Sequence, residues 1–337
     1  MTARWLSILI PAFNVEPYVE ECVESVLRQA QESIEVIVLD DASRDGTWQR
    51  MLALEQRWQP YVRILRHASN QGVSAARNTL LGAAEGDYVW FLDADDKLCP
   101  GALTDLRAIV QHNAPDLILC DFSVWRERMR LKHLLRGEGH RATFLGSANR
   151  LVHDPAALLA GLLQAGQLHM WSKVTKRSLW PEDLRFPVGQ VFEDVLISTL
   201  LALRARSFYY CPKPWVMYRQ RSGSILASMN LPKALDQSRA LVPLRAELEH
   251  WPYWGDARVR LALAHQCGRN LTGAMRYLHK HKTELPPQVS ARALAERFRQ
   301  DFRAASPWSA RELARAYLRH GWWLRWIKFC RWYGWQP

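Results

Sequence analysis

Residues 88–96 read Tyr-Val-Trp-Phe-Leu-Asp-Ala-Asp-Asp, an apolar run that ends in three carboxylates within four residues. The run predicts a buried β-strand, and Asp93, Asp95 and Asp96 follow at its carboxyl end. Carboxylates this close repel one another, and a divalent cation such as Mg²⁺ or Mn²⁺ relieves the repulsion through hard oxygen ligands. An acidic turn that caps a helix from Pro100 explains the same residues, so this stretch alone leaves both interpretations open.

Three more short apolar runs precede this strand, starting near residues 5, 34 and 61, and amphipathic helical stretches separate them. The step from strand to strand is about 27 to 29 residues, which fits β–α–β crossovers. We therefore predict an α/β fold with a doubly wound, mainly parallel sheet and flanking helices. In such sheets ligands bind beyond the carboxyl ends of the strands. From about residue 230 the pattern is almost wholly helical.

The composition predicts an ordered protein with a basic surface. The 337 residues are 48% hydrophobic, and 45 Lys and Arg against 33 Asp and Glu give a net charge of +12. Such a surface favours polyanions: nucleic acid, anionic lipid or diphosphates. The six cysteines lack metal-cluster spacing, so we expect buried free thiols in a reducing cytosol. We expect no secretion signal and no spanning helix of roughly 18 apolar residues, so any membrane contact should be peripheral.

The second strand also ends in carboxylates, in the stretch Asp-Asp-Ala-Ser-Arg-Asp-Gly-Thr at residues 40–47. Asp41 lies at the carboxyl edge of the strand, where hydrogen bonding to a base or ribose is expected. For Asp45 we predict a cap on the helix that starts near Thr47.

Two further loops carry candidate ligand contacts. After the first strand stands Pro-Ala-Phe-Asn at residues 11–14 instead of a glycine-rich GxGxxG, which argues against a dinucleotide-binding oxidoreductase. Pro11 and Phe13 suit a flat base, although a simple turn explains them too. Gly72 precedes a small-residue helix with Arg77 one turn in, and this side chain suits either a phosphate or a salt bridge to the acids after the fourth strand.

The order and spacing of these motifs resemble the family 2 glycosyltransferases with the GT-A fold, of the bacterial envelope polysaccharide or lipopolysaccharide type. The resemblance rests on Ser7-Ile-Leu-Ile-Pro-Ala-Phe-Asn14, Asp40-Asp41-x-Ser43-x-Asp45-Gly46-Thr47, Gly72-x-Ser74-x-x-Arg77-Asn78 and Asp93-x-Asp95-Asp96. It implies a GT-A catalytic domain over residues 1–225, with a nucleotide-sugar-binding half at 1–105 and an acceptor-binding half at 106–225. Residues 226–337 would form a helical C-terminal region.

The resemblance also implies roles for single residues. Asp95, together with Asp93, would ligate the Mg²⁺ or Mn²⁺ that bridges the donor diphosphate. Trp171 and Lys173 would belong to the acceptor site. The implied donor-binding residues are Pro11, Ala12, Phe13, Asp41, Arg77 and Asp93, with Arg219 or Arg221 closing over the diphosphate.

A catalytic base is needed because an acceptor hydroxyl is a poor nucleophile until a carboxylate takes its proton. Many family members carry a Glu-Asp pair at the head of a helix, and here Phe-Glu-Asp-Val stands at residues 192–195. We predict Asp194 as the base, with Glu193 in reserve, and attack opposite the nucleotide that inverts the anomeric configuration. The alternative is that both acids only stabilise the start of their helix.

The C-terminal segment 307–337 holds six Trp and six Lys or Arg but a single acid, Glu312. Trp322, Trp326, Phe329 and Tyr333 share one helical face. Indoles prefer the lipid headgroup boundary and cations are attracted to anionic lipid, so we predict a membrane-surface segment. The predicted contact residues are Trp322, Trp323, Arg325, Trp326, Lys328 and Arg331. A terminal helix that docks its Trp face on the catalytic domain, with its Arg residues solvated, is one alternative, and nucleic-acid binding is another.

These features together predict a metal-dependent inverting glycosyltransferase. Its partners would be a nucleotide-sugar donor, with UDP as the default nucleotide, and a membrane-associated glycan or glycolipid acceptor in envelope polysaccharide biosynthesis. It would be cytoplasmic and peripherally associated with the inner face of the cytoplasmic membrane. The competing interpretations are a nucleotidyltransferase on a similar sheet and a non-catalytic basic scaffold or nucleic-acid-binding protein.

Overall fold

The computed structural model describes residues 4–30, 33–126, 133, 137–220 and 229–337. The chain forms two compact units. The first comprises Met1–Asp154, Gln167–Gln190 and Arg204–Arg221, and the second comprises Pro155–Gly166, Val191–Leu203 and Ser222–Pro337. The functional division into donor half, acceptor half and C-terminal region stays a prediction. Arg221, a predicted donor contact, lies outside the described residues.

Nine strands among the described residues form one mixed sheet in the first unit. They are β1 (Leu6–Ala12), β2 (Ile34–Asp40), β3 (Val62–Arg66), β4 (Tyr88–Phe91), β5 (Lys97–Leu98), β6 (Leu117–Trp125), β7 (Leu151–Val152), β8 (Lys173–Lys176) and β9 (Phe208–Arg219). Their order is β3-β2-β1-β4-β8-β6-β9-β5, and β7 also pairs with β9.

The predicted parallel arrangement is confirmed for the first four strands, since β1 pairs in parallel with β2 and β4, and β2 with β3. Beyond them the sheet is mixed: β8 runs antiparallel to both β4 and β6, whereas β6 and β9 are parallel. All seven residues of β2 are buried. A strand covered on both faces reads as a continuous apolar run, which is why the sequence shows these strands clearly.

Four helices of the first unit connect these strands: α1 (Val19–Leu27), α2 (Thr47–Arg57), α3 (Val73–Ala83) and α4 (Ala102–Asn113). The amphipathic stretch predicted between the first two strands is confirmed as α1, because Val19, Cys22, Val23, Val26 and Leu27 are buried. Helices α1, α2 and α4 share one hydrophobic core with the sheet.

The second unit is helical, as predicted from residue 230 onward. Its helices are α5 (Pro155–Ala165), α6 (Glu193–Arg204), α7 (Leu231–Arg239), α8 (Val242–Glu249), α9 (Ala257–His281), α10 (Ala291–Ala305), α11 (Ala310–Arg319) and α12 (Trp323–Gly334). The long helix α9 packs against α5, α7, α10 and α12. A capping box defines the start of α11, in which the Ser309 hydroxyl accepts from the Glu312 amide and Glu312 accepts from the Ser309 amide.

The terminal helix α12 shows where the predicted aromatic row lies, while its contact with a membrane stays a prediction. The residues Trp322, Trp326, Phe329 and Tyr333, which we call the inner row, do not form a free surface. Phe329 is buried and its ring lies 5.6 Å from that of Phe302, while Trp322, Trp326 and Tyr333 are half-buried. The inner row thus packs within the helical unit.

Two smaller expectations concern the membrane and the thiols. Among the described residues, no helix combines the length and apolarity that crossing a bilayer requires.

All six cysteines are free, and Cys22, Cys120, Cys211 and Cys267 are buried as expected. Cys99 is half-buried and Cys330 is exposed on α12, so the expectation of buried thiols is wrong for these two positions.

Candidate active site

The sheet register brings three predicted loops to one edge. Ala12 at the end of β1 pairs with Asp40 at the end of β2, and Leu9 pairs with Phe91 at the end of β4. The loops that follow these strands therefore start side by side. Hydrogen bonds join the first two: the Asn14 amide donates to Ser43 Oγ at 2.9 Å, and the Arg44 amide donates to Asn14 Oδ1 at 2.9 Å.

The residues predicted to hold the base lie on the first of these loops. Pro11 is half-buried and Ala12 is buried, whereas 42% of the Phe13 surface is exposed. An exposed ring beside the carboxyl edge of the sheet is suited to stacking on a planar group. Asp45 on the neighbouring loop accepts from the amide and the hydroxyl of Thr47, at 3.0 and 2.6 Å, which confirms the predicted cap.

Asp41 is buried and bonded within the protein. Its Oδ1 accepts from the Gln71 amide at 2.9 Å, its Oδ2 accepts from the Gly72 amide at 2.8 Å, and His67 Nδ1 lies 2.7 Å from Oδ1. The carboxylate therefore fixes the turn before α3, where Gly72 has a φ of +86° that favours glycine. The predicted ligand contact stays a prediction, and this internal role is one that the motif did not reveal.

Arg77 on α3 connects that turn to the loop after β4. Its Nη2 lies 3.2 Å from Asp93 Oδ1, so the salt bridge considered from the sequence is present. Phe186 positions the guanidinium, whose carbon lies 5.4 Å from the ring centroid. Asn78, the next motif residue, holds the Phe186 backbone through two hydrogen bonds of 2.9 and 2.8 Å.

Residues 93–96, which we call the aspartate loop, carry three carboxylates in different environments. Asp93 and Asp95 are half-buried, whereas Asp96 is buried. Burial raises the pKa of the Asp96 carboxyl well above its usual range, and the charges of Asp93 and Asp95 raise it further. Asp96 Oδ1 accepts from the Arg219 amide at 2.7 Å, while Oδ2 is buried and has no hydrogen-bond partner in the described part of the chain.

Arg219, at the end of β9, supports the aspartate loop. Its Nε donates to the Asp95 carbonyl oxygen at 2.7 Å, and its Nη2 lies 2.7 Å from Glu21 Oε2. The guanidinium carbon lies 3.8 Å from the Trp125 ring centroid and 4.7 Å from that of Tyr18. These contacts give Arg219 a positioning role that accompanies or replaces the predicted contact with the diphosphate.

Glu21 on α1 is a residue that sequence reasoning missed. Burial raises its pKa, but hydrogen bonds from Lys97 and Arg219 outweigh that effect and lower it. The ammonium of Lys97 lies 2.8 Å from Glu21 and 3.7 Å from the Trp125 ring centroid. Glu21 and Arg219 are 198 residues apart, and no spacing rule within the sequence connects them.

Trp171 and Lys173, the predicted acceptor residues, are both buried in the first unit. Lys173 Nζ donates to the carbonyl oxygens of Gln167 and His169, at 3.1 and 2.7 Å. The Trp171 ring stacks on those of His169 and Tyr218, with centroids 4.7 and 5.5 Å apart. The structure therefore gives both side chains internal packing roles, and an acceptor role stays a prediction.

Glu193 and Asp194 lie in the first turn of α6 and belong to the second unit. Glu193 is buried and Asp194 is half-buried. Carboxylates in a first turn interact favourably with the positive end of the helix dipole, as the alternative interpretation expects. The role of Asp194 as catalytic base stays a prediction.

The described side chains contain no group of three or more His, Cys, Asp or Glu that is arranged to hold a metal ion. Mg²⁺ does not need such a cage, because it usually binds through one or two carboxylates together with substrate phosphates and water. Asp93 and Asp95 are half-buried carboxylates on one short loop, beside the buried and unpartnered Asp96 Oδ2. This donor set fits a cation that a diphosphate helps to bind.

The fold and this edge define a GT-A domain. The structure resembles that of residues 1–349 of TarS from S. aureus in complex with UDP-GlcNAc, with a TM-score of 0.69 and 20% identity, over 97% of this chain and 89% of that one. Residues 7–157 match the model of Glycosyl transferase family 2. These residues are a family 2 glycosyltransferase domain, and the resemblance predicted from the four motifs is confirmed.

Two curated relatives extend the comparison. Glycosyltransferase GlyA of Streptococcus pneumoniae is 28% identical over 229 residues, which is 65% of this chain and 31% of GlyA. The putative teichuronic acid biosynthesis glycosyltransferase TuaG of Bacillus subtilis is 38% identical over 92 residues, which is 27% of this chain and 36% of TuaG. The matched region thus spans about a third of the length of each of these relatives.

Proposed function

We propose that the chain is an inverting glycosyltransferase that transfers a sugar from a nucleotide-sugar, in the first place a UDP-sugar, to an acceptor hydroxyl. The observation that carries this proposal is the meeting of three loops at one edge of a family 2 domain. Asp41 follows β2 and the aspartate loop follows β4 at this edge, and Arg77 on α3 forms a salt bridge with Asp93.

The donor would lie along this edge. Phe13, with Pro11 and Ala12, is suited to contact the base through its exposed ring. Asp41 uses both oxygens internally, but an ionised carboxylate has about four acceptor positions, so a further bond to the base is compatible with its position. The complex of TarS with UDP-GlcNAc supports a nucleotide-sugar and makes UDP the first nucleotide to test.

The diphosphate would be held beside the aspartate loop. Asp95 and Asp93 would bind Mg²⁺ or Mn²⁺, which when bound neutralises charge on the departing diphosphate. Arg77 holds the Asp93 carboxylate from one side, and Arg219 fixes the Asp95 backbone from the other. Both arginines therefore limit the movement of the carboxylates, which lowers the cost of ordering them around a ligand.

Proton removal from the acceptor is assigned to Asp194, with Glu193 in reserve. Asp194 is the more exposed of the two, since it is half-buried while Glu193 is buried. A base must reach the hydroxyl proton directly or through one water molecule, which favours the more accessible carboxylate. Displacement from the side opposite the nucleotide would invert the anomeric centre.

The acceptor would be a membrane-associated glycan or glycolipid of an envelope polysaccharide pathway. The similarity to TuaG, named for teichuronic acid biosynthesis, supports this acceptor class. The enzyme would act in the cytoplasm, with peripheral association at the inner face of the cytoplasmic membrane. The surplus of cations, 45 Lys and Arg against 33 Asp and Glu, favours contact with anionic lipid.

Screening the full chain against a panel of nucleotide-sugars, with Mg²⁺ or Mn²⁺ present, tests the reaction class. The expected result is release of a nucleoside diphosphate with at least one donor, accompanied by a rise in Tm of the protein with that donor. Release of pyrophosphate would identify a nucleotidyltransferase instead. Absence of both turnover and any thermal shift across the panel would refute the proposal.

A further inference from the structure

The terminal helix α12 has an apolar surface on the side opposite to its packed residues. We call Trp323, Leu324 and Ile327 its outer face. These side chains are 60%, 83% and 53% exposed. Positions i, i+1 and i+4 of a helix lie on one side, so the three form a single patch. Large aliphatic side chains this exposed are unusual at a helix position that has no partner.

The orientation of the outer face is set by the packing of the rest of α12. The Phe329 ring contacts those of Phe302 and Tyr317, with centroids 5.6 and 5.9 Å apart. The helix end is held as well, because Arg299 Nε donates to the Tyr333 carbonyl oxygen at 3.0 Å. Rotating α12 to bury Leu324 would expose Phe329, so the outer face stays directed outward.

Cations accompany the outer face. Lys328 follows Leu324 by one turn and Arg331 follows Ile327 by one turn, and both are exposed. Arg325 is also exposed, and its guanidinium carbon lies 4.3 Å from the Trp322 ring centroid. No acidic residue follows Glu312 in the sequence. The segment that carries the apolar patch therefore holds cations and no acidic side chain.

The combination of apolar and cationic side chains indicates which kind of partner the outer face binds. A second copy of the same helix would bring like charges together, which disfavours association. A nucleic acid would use the cations and stack on Trp323, but it would leave Leu324 and Ile327, the two aliphatic side chains of the outer face, without a partner. An anionic bilayer uses both features, since aliphatic and indole side chains enter the headgroup boundary while Lys and Arg contact the lipid phosphates.

We infer that the outer face of α12 binds the surface of an anionic lipid bilayer, with Trp323, Leu324 and Ile327 at the boundary between headgroups and acyl chains. The inference rests on the peripheral association proposed above, and the outer face supplies the side chains that contact the lipid. It moves the lipid contact away from the inner row, to the opposite side of the same helix. Arg325, Lys328 and Arg331 supply the attraction to anionic headgroups.

Co-sedimentation of the full chain with vesicles tests this inference without any reading of sugar transfer. The wild-type protein should bind vesicles that contain phosphatidylglycerol and bind pure phosphatidylcholine vesicles much less. The double variant Leu324→Ser/Ile327→Ser should lower the partition coefficient at least about tenfold, because two exposed apolar side chains lose their lipid contact. Lys328→Glu/Arg331→Glu should lower the partition coefficient by a similar factor and weaken its dependence on salt.

The matched control is Leu52→Ser/Val188→Ser, which removes two exposed apolar side chains of the first unit and should leave vesicle binding unchanged. Circular dichroism of each variant checks that the helices remain folded. Wild-type binding by Leu324→Ser/Ile327→Ser would overturn the inference. So would a change from dimer to monomer in that variant with unchanged lipid binding, because the face would then serve a second copy. A chain that binds vesicles but transfers no sugar would refute the proposed reaction and leave this inference standing.

Discussion

The aspartate loop and helix α12 were both predicted from short sequence patterns, with different outcomes. At the loop, Asp93 meets Arg77 from another predicted motif, and Asp96 is bonded to Arg219 of a third. At α12, the predicted aromatic row lies on the packed side and Trp323, Leu324 and Ile327 form the exposed side. The loop pattern therefore located its residues, whereas the α12 pattern located the helix and Trp323 but missed Leu324 and Ile327.

The difference has a geometric cause. In a parallel sheet the register fixes where each strand ends, so a motif that directly follows a strand lies at a known edge. In a helix, the periodicity of apolar residues predicts which side is buried. That prediction is possible only when the apolar residues occupy one side of the helix. On α12 apolar residues occur all around the axis, from Trp323 to Trp332. Composition therefore predicted an amphipathic surface without showing which side faces outward.

The largest expected effect concerns Asp194, a motif residue that lies on a helix rather than after a strand. Asp194→Asn should lower kcat by about 10²- to 10⁴-fold, because the acceptor hydroxyl loses its general base. Donor binding should persist, which isothermal titration with the nucleotide measures. Glu193→Gln is the matched variant and should lower kcat less. An unchanged kcat in Asp194→Asn would contradict the assignment of Asp194 as the base. The motif at the start of α6 would then fail to predict function, as the aromatic pattern of α12 failed to predict its exposed side.

A smaller effect is expected at Arg219, where the structure gives a positioning role to a residue predicted as a donor contact. Arg219→Ala should lower kcat/KM by about 10²-fold, because the aspartate loop loses support and shifts. The concentration of Mn²⁺ that gives half-maximal activity should rise as well.

The variant Glu21→Gln distinguishes a positioning role of Arg219 from its direct contact with the diphosphate. If Arg219 acts through the loop, Glu21→Gln should shift the Mn²⁺ dependence in the same direction by a smaller factor, since one of its contacts is lost. Arg28→Ala, at the exposed residue that directly follows the same helix, is the control that should leave both quantities unchanged. If Glu21→Gln changes neither quantity while Arg219→Ala is inactive, Arg219 contacts the diphosphate directly.

The smallest expected effect is a pH dependence of the free energy of unfolding, caused by the buried His265 on α9. Burial lowers the pKa of His265 to about 3, and the charges of Arg325 and Arg269 act in the same direction. The unfolded state takes up a proton near pH 6.5 while the folded state stays neutral. The free energy of unfolding should therefore fall as the pH drops below about 6.5, by about 2 kcal/mol at pH 5.

Urea unfolding of wild type and His265→Gln at pH 7 and 5 measures this dependence. Gln keeps a polar partner for Tyr317, whose hydroxyl lies 2.9 Å from His265 Nδ1, so the variant should fold and show a smaller loss at pH 5. His250→Gln, at an exposed position, should behave as wild type. An equal loss in wild type and His265→Gln would show that the ring beneath Trp322 is not buried in solution.

Much of the first unit could be predicted, because β1, β2 and β4 are buried apolar runs and its helices have one-sided patterns. The structure agrees at β1 to β4 and α1 within a few residues. The two-residue strands β5 and β7 carry too little sequence to show a period. The antiparallel insertion of β8 between β4 and β6 depends on pairing between distant segments, which spacing along the chain does not encode.

The same distinction applies within the candidate site. Asp41, Arg77 and Asp93 could be located because each lies in a motif next to a strand end or helix start. Trp171 and Lys173 lie in a similar motif, yet their side chains are buried, since packing against His169 and its neighbours decides their direction. Interactions of this kind involve backbone atoms and residues far apart, and they become visible only in the folded chain.

The measurement that tests the central claim most directly is calorimetric titration of UDP into the full chain with and without Mn²⁺. The wild-type protein should bind UDP at least about tenfold more tightly with Mn²⁺, because the diphosphate and Asp95 share the cation. Asp95→Asn should lose this gain, while Asp105→Asn on α4 should keep it. A wild-type affinity that ignores Mn²⁺, or a full gain in Asp95→Asn, would contradict the assignment of the aspartate loop to the metal and diphosphate.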